Sequence, residues 1–89
     1  IPLAGAAFKG DTYMARLLIE HGADVNARSP DGKTALMFAA MFDRAEFIDL
    51  LLAHGADASL RSDDGVTALG LAQAMGAHAA AACLSQPES

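Results

Sequence analysis

His21-Gly22-Ala23-Asp24 returns as His54-Gly55-Ala56-Asp57, 33 positions further along a chain of 89 residues. Asp31-Gly32 returns at the same offset as Asp64-Gly65, and Thr34-Ala35-Leu36 as Thr67-Ala68-Leu69. Ala6-Ala7 matches Ala39-Ala40, Leu17-Leu18 matches Leu50-Leu51, and Arg28-Ser29 matches Arg61-Ser62. Chance does not hold one offset across six separate motifs. A fixed period in this range marks a chain built from stacked units, each too small to bury its own apolar face.

Within one period the local signals predict helix, turn, helix, loop. Thr34 can cap a helix, because its hydroxyl accepts from the unpaired N–H groups of the first turn. That helix, roughly Ala35 to Met41, is apolar nearly all round, which predicts packing on most sides. Asp43-Arg44 makes a tight turn before a second helix from about Ala45 to His54. Phe47, Ile48, Leu50, Leu51 and Leu52 form its buried face, and Glu46, Asp49 and Ala53 are left for water. Gly55 follows as the residue able to take the left-handed conformation that closes a helix. Ala56 to Gly65 reads as an exposed loop with a tight turn at Asp64-Gly65.

The combination of a 33-residue period, a Gly-Ala-Asp helix end and Asp-Gly-x-Thr-x-Leu resembles the ankyrin repeat. Asp31-Gly32-Lys33-Thr34-Ala35-Leu36-Met37-Phe38-Ala39-Ala40 and His21-Gly22-Ala23-Asp24-Val25-Asn26-Ala27 follow that family's pattern closely. The likeness runs from about residue 2 to residue 84. It implies an all-α solenoid of stacked helix-turn-helix units joined by β-hairpin loops, with inner helices and hairpins making a concave face. The whole of 1–89 is then one domain, with repeats near 1–28, 29–61 and 62–84 and a polar tail at 85–89. Two departures stand out. The family's histidine after the Leu is replaced by Ala4, Met37 and Gly70, and Asp43 stands where Gly10 and Gly76 occupy the other units.

The two ends differ in kind. Ala79 to Cys83 are small where the middle unit carries Glu46 to Leu50, so the outer helix from His78 to Leu84 reads as a C-terminal cap. The tail Ser85 to Ser89 is expected to fray. At the other end, Ile1 sits at the threonine position, and Leu3, Ala6, Ala7 and Leu17 are interior residues of the pattern. An exposed apolar edge near Leu3 and Leu17 is therefore expected, covered by upstream repeats or a neighbouring chain.

Composition removes several classes of function. A net charge of −5 argues against binding a phosphate backbone. The apolar residues, 53% of the chain, are interrupted too often to give the ~18-residue run of a membrane helix. No nucleic acid or membrane partner is expected, and the chain reads as soluble, the cytoplasm being favoured without being fixed. One cysteine, Cys83, excludes an internal disulfide and reads as an inert core residue. His21 and His54 occupy equivalent positions and should lie about one repeat, ~10 Å, apart. A shared metal needs ligands at ~2 Å, so these histidines read instead as donors to helix-end carbonyls. Asp24, Asp57 and Asp49 show no convergence on a cleft, and no nucleophile elbow or Gly-rich phosphate loop occurs. No metal, cofactor or catalytic residue is expected.

The resemblance supplies the sharper expectation. In the family the ends of the inner helices commonly face the groove, which here are Phe8-Lys9, Met41-Phe42 and Ala74-Met75. Stacked, they make a strip of Phe8, Met41, Phe42 and Met75 with Lys9 at its edge, residues suited to an interface core. The alternative is that some of them pack between neighbouring helices. The loop tips add Arg28, Pro30, Asp31 and Lys33 in one finger and Arg61, Asp63, Asp64 and Val66 in the next. These form a charged rim or, equally, a solvated loop. The expected function is a non-catalytic scaffold that binds another protein through groove and tips; the alternative is a spacer or capping segment within a larger chain.

Overall fold

The computed structural model describes residues 3–85. Its elements are six helices in chain order: α1 (Leu3–Lys9), α2 (Thr12–Glu20), α3 (Ala35–Met41), α4 (Ala45–Ala53), α5 (Ala68–Met75) and α6 (His78–Ser85). They pair as α1–α2, α3–α4 and α5–α6. α3 packs on both α1 and α5 in one layer, and α4 packs on both α2 and α6 in the other. The stack measures 31 × 29 × 23 Å. It is the all-α solenoid that the 33-residue offset predicts. The expectations for Ile1 and for the tail 86–89 lie outside the described residues, while Ser85 belongs to α6, its Oγ donating to the Ala81 carbonyl at 2.7 Å.

The middle pair supplies the large core side chains: Leu36, Met37, Phe47, Ile48 and Leu51 are almost fully buried. The flanking inner helices contribute mainly alanines, which let α1, α3 and α5 approach closely. Glu46, Asp49 and Ala53 face water as the α4 pattern predicts. Ala6 and Ala7 are buried, as interior residues of the pattern; of the exposed edge expected near Leu3 and Leu17, Leu3 is buried and Leu17 half-buried. Small side chains need little cover, and one neighbour, α3, together with α2 provides it.

Capping explains the helix boundaries. Asp11, Thr34 and Thr67 accept from the N–H groups of Met14, Met37 and Gly70 at 3.0, 3.3 and 3.2 Å. At the other ends a left-handed residue turns the chain. Gly22 and Gly55, at φ 92° and 89°, place Ala23 N–H on the Leu18 carbonyl and Ala56 N–H on that of Leu51. α3 is closed in the same way by Asp43, the one non-glycine at positive φ (58°) among the described residues.

Each connection between pairs contains a short finger. Ser29 N–H donates to the Lys33 carbonyl at 2.8 Å and Gly32 N–H to that of Ser29 at 2.9 Å. Ser62, Gly65 and Val66 repeat the pattern at 2.9 and 2.8 Å. These are three-residue loops ending in a left-handed glycine. The β-hairpins implied by the resemblance reduce to these closed turns, with no ladder strand among the described residues, because the helix cap follows at once.

Candidate functional site

α1, α3 and α5 run side by side, so their C-terminal ends fall in one row. Phe8 is 60% exposed at the end of α1 and Met75 57% exposed at the end of α5. Phe42, the C-cap of α3, meets Phe8 edge to face, with ring centroids 4.7 Å apart and planes at 67°. Met41 and Phe42 are half-buried and Lys9 is exposed. Tyr13, near the start of α2, adds a further exposed ring that the strip did not include. Large exposed aromatic and thioether groups of this kind are what interface cores are built from.

The two fingers stack on each other. Arg28 Nη1 donates to the carbonyl of Gly32 in its own finger at 3.2 Å and to that of Arg61 in the next at 2.6 Å. Asn26 Oδ1 accepts from Asp57 N–H at 2.8 Å, and the Asp31 carbonyl from Asp63 N–H at 3.4 Å. Lys33 Nζ pairs with Asp31 Oδ2 at 2.5 Å, and Ser29 Oγ donates to the same carboxylate. The Lys33 ammonium first, and the Ser29 hydroxyl second, hold the Asp31 carboxyl down at about 2, and the Asp31 carboxylate in turn pushes the Lys33 ammonium up. Arg61 donates to the Gly65 carbonyl at 3.2 Å, Asp63 and Asp64 are exposed, Pro30 is exposed, and Val66 is half-buried against Gly70. Ser59 hydroxyl and N–H keep Asp57 below the usual carboxylate range.

Asp43 and Arg44, which turn the chain between α3 and α4, also couple neighbouring pairs. The Asp43 carboxylate accepts from Ala80 N–H, in the first turn of α6, at 2.8 Å. Its own helix gains nothing from this; α6, preceded by Ala77 with no capping oxygen, gains an N-terminal cap supplied by its neighbour. Arg44 acts in the opposite sense, donating through Nη2 to the Phe8 carbonyl at the C-terminal end of α1 at 3.2 Å. Asp43 was readable as an anomaly, a carboxylate where Gly10 and Gly76 recur.

His21 and His54 each cap a helix C-terminus, and His21 Nδ1 lies 2.7 Å from the Leu17 carbonyl. Cys83 is half-buried with its Sγ 3.9 Å from the Ala45 carbonyl. Burial first, and Asp49 second, push its thiol up, which disfavours the reactive thiolate. Among the described residues no group of three or more His, Cys, Asp or Glu converges, and no helix is long and apolar enough to cross a membrane.

Residues 3–88 match the family model for ankyrin repeats, in three copies. A stretch of 47 residues is 47% identical to the E3 ubiquitin-protein ligase XBAT33 of Arabidopsis thaliana. That stretch is 53% of this chain and 9% of the relative's length.

Proposed function

The chain belongs to the ankyrin-repeat family, and from that premise we propose that it is a non-catalytic scaffold holding a partner protein along its inner-helix ends and finger tips. One observation carries the reading: at the ends of three successive inner helices Phe8 and Met75 are more than half exposed, and the half-buried Phe42 ring of the middle helix lies edge to face against Phe8. Singly exposed apolar residues are ordinary, but here Phe42 and Met75 share one repeat position and Phe8 stands one place before it, so large apolar groups gather at successive inner-helix ends as a surface for contact. The charged tips Arg28, Asp31, Lys33, Arg61, Asp63 and Asp64 give that surface a rim that orients a partner. Arg28 and Lys33 are already engaged within the fingers, so Asp63 and Asp64 are the rim's freer contacts. The ligase activity named for the plant relative belongs to that protein, of which the matched stretch is a small part.

The test is the double variant Phe8→Asp with Met75→Asp. Both side chains are more than half exposed, so the fold has little to lose, and helicity by far-UV dichroism should be unchanged. Affinity for a partner captured with the parent chain should fall by at least ~100-fold, the effect of losing interface anchors. Parental affinity in a folded double variant would leave the spacer reading instead.

A further inference from the structure

A cavity of about 420 Å³ lies between the start of α1, the first finger and α3, at the opposite end of α1 from Phe8. Its walls include Leu3, Ala4, Ala27, Ala35 and Phe38, so it is mostly apolar, and its size falls within the ~300–1,000 Å³ of ligand pockets. The repeat explains why it is hollow. Ala4, Gly5 and Ala27 stand where the next unit has Met37, Phe38 and Leu60, three small residues in place of three large ones. In that next unit Met37 is 1% exposed, and Phe38 and Leu60 pack against the core. The chain thus shows, one repeat along, what kind of group fits such a place.

The mouth carries two charged residues, and they are not equally available. Arg28 is held by two finger carbonyls, whereas Asp24 is exposed, with one carboxylate oxygen on Asn26 N–H at 2.9 Å. Among the described residues the other Asp24 carboxylate oxygen accepts no hydrogen bond, so it is left to meet a cationic group of a partner. We propose that the cavity receives one apolar side chain of a partner polypeptide, of methionine or leucine size, flanked in that partner by a basic residue that meets Asp24. This deepens the scaffold reading and rests on it, but it concerns different residues from the strip.

The experiment titrates the chain with blocked dipeptides and follows the amide resonances of Ala27, Ser29 and Ala35. Lysyl-methionine amide should shift them saturably, and bind at least ~10-fold more tightly than lysyl-glycine amide, the worth of one buried apolar side chain. It should bind about threefold more tightly than glutamyl-methionine amide, as an exposed charge pair allows. Filling the cavity with Ala4→Met and Ala27→Leu should abolish the shifts in a chain that melts no lower than the parent. Asp24→Asn, which keeps an oxygen for Asn26 N–H, should remove only the preference for lysyl over glutamyl. Absence of saturable shifts, shifts that survive in the filled variant, or equal binding of lysyl-glycine amide would overturn the proposal. The same amides moving as the chain alone is concentrated would place a second copy there, and would also overturn it. Loss of partner binding in the Phe8 and Met75 variant, with the filled variant binding normally, would refute the cavity's role and leave the scaffold reading standing.

Discussion

The two fingers share a turn type, a left-handed glycine and an arginine folded back on the loop, yet they occupy different surroundings. The first has its neighbour against it: a Cβ added at Gly32 would come within 2.8 Å of the Asp63 backbone nitrogen and closer still to that residue's carboxylate. A Cβ added at the equivalent Gly65 meets nothing within 4 Å. Both glycines have φ of +80°, so conformation is held constant and the neighbour alone differs. In a stacked chain, what a residue contributes depends on its place in the row as much as on its type.

The largest effect expected from this contrast is at the glycines themselves. Gly65→Ala should cost about 1–2 kcal/mol, the price of placing a Cβ in the left-handed region. Gly32→Ala carries the same strain and must also push the second finger away, because the Asp63 backbone nitrogen, and not only its flexible carboxylate, stands in the way. Its cost should reach about 3 kcal/mol or more. Urea titrations of the two variants measure the difference, and equal midpoints would mean that the fingers do not press on each other in solution.

A smaller effect separates the arginines. Arg28 holds two carbonyls, one of them in the adjacent finger, whereas Arg61 holds only that of Gly65. Arg28→Ala should destabilise by about 1.5 kcal/mol and Arg61→Ala by about 0.5, since each exposed bond from a charged donor is worth a fraction of its buried value. Thermal melts of both variants rank them. Equal losses would assign the contribution to each finger's own turn rather than to the contact between fingers.

How far the sequence revealed these arrangements depends on whether a feature repeats. The helices, their Thr34 and Thr67 caps and the Gly22 and Gly55 closures recur at one offset, so pattern alone places them. Asp43 shows the limit. Its replacement of glycine was legible, and its left-handed backbone follows, but the hydrogen bond to Ala80 joins residues 37 apart and depends on how two helix pairs meet. The cavity lies beyond pattern reading for a similar reason. Ala4, Gly5 and Ala27 are each unremarkable alone, and become a void only when α1, the first finger and α3 close around them. Leu3 differs from its expected exposure because an edge position is not the same as an uncovered one: α2 and α3 pack against α1 and suffice to bury it. For the site residues, sequence position gave Phe8 and Phe42 their shared row; that their rings meet edge to face is a matter of side-chain geometry.

The mildest contrast between the fingers is electrostatic. Asp31 is paired with Lys33 and accepts from Ser29, whereas at the equivalent places the second finger has Asp64 followed by Val66 rather than a lysine. Because Asp31 is lowered from an ordinary value of 3.8 to about 2, the finger's ion pair is intact above the unfolded value and is lost as the pH falls through about 2. The Asp31 side-chain carboxyl resonance, followed from neutral pH downward, should therefore keep its ionised position until the pH nears about 2. Lys33→Met removes the larger cause and should move the Asp31 midpoint most of the way back to the usual range near ~3.9. Ser29→Ala removes the smaller cause and should move it less. If Ser29→Ala produced the larger shift, the hydroxyl rather than the ammonium would be what holds the carboxylate, and the two fingers, which both carry that serine, would differ electrostatically far less than their sequences imply.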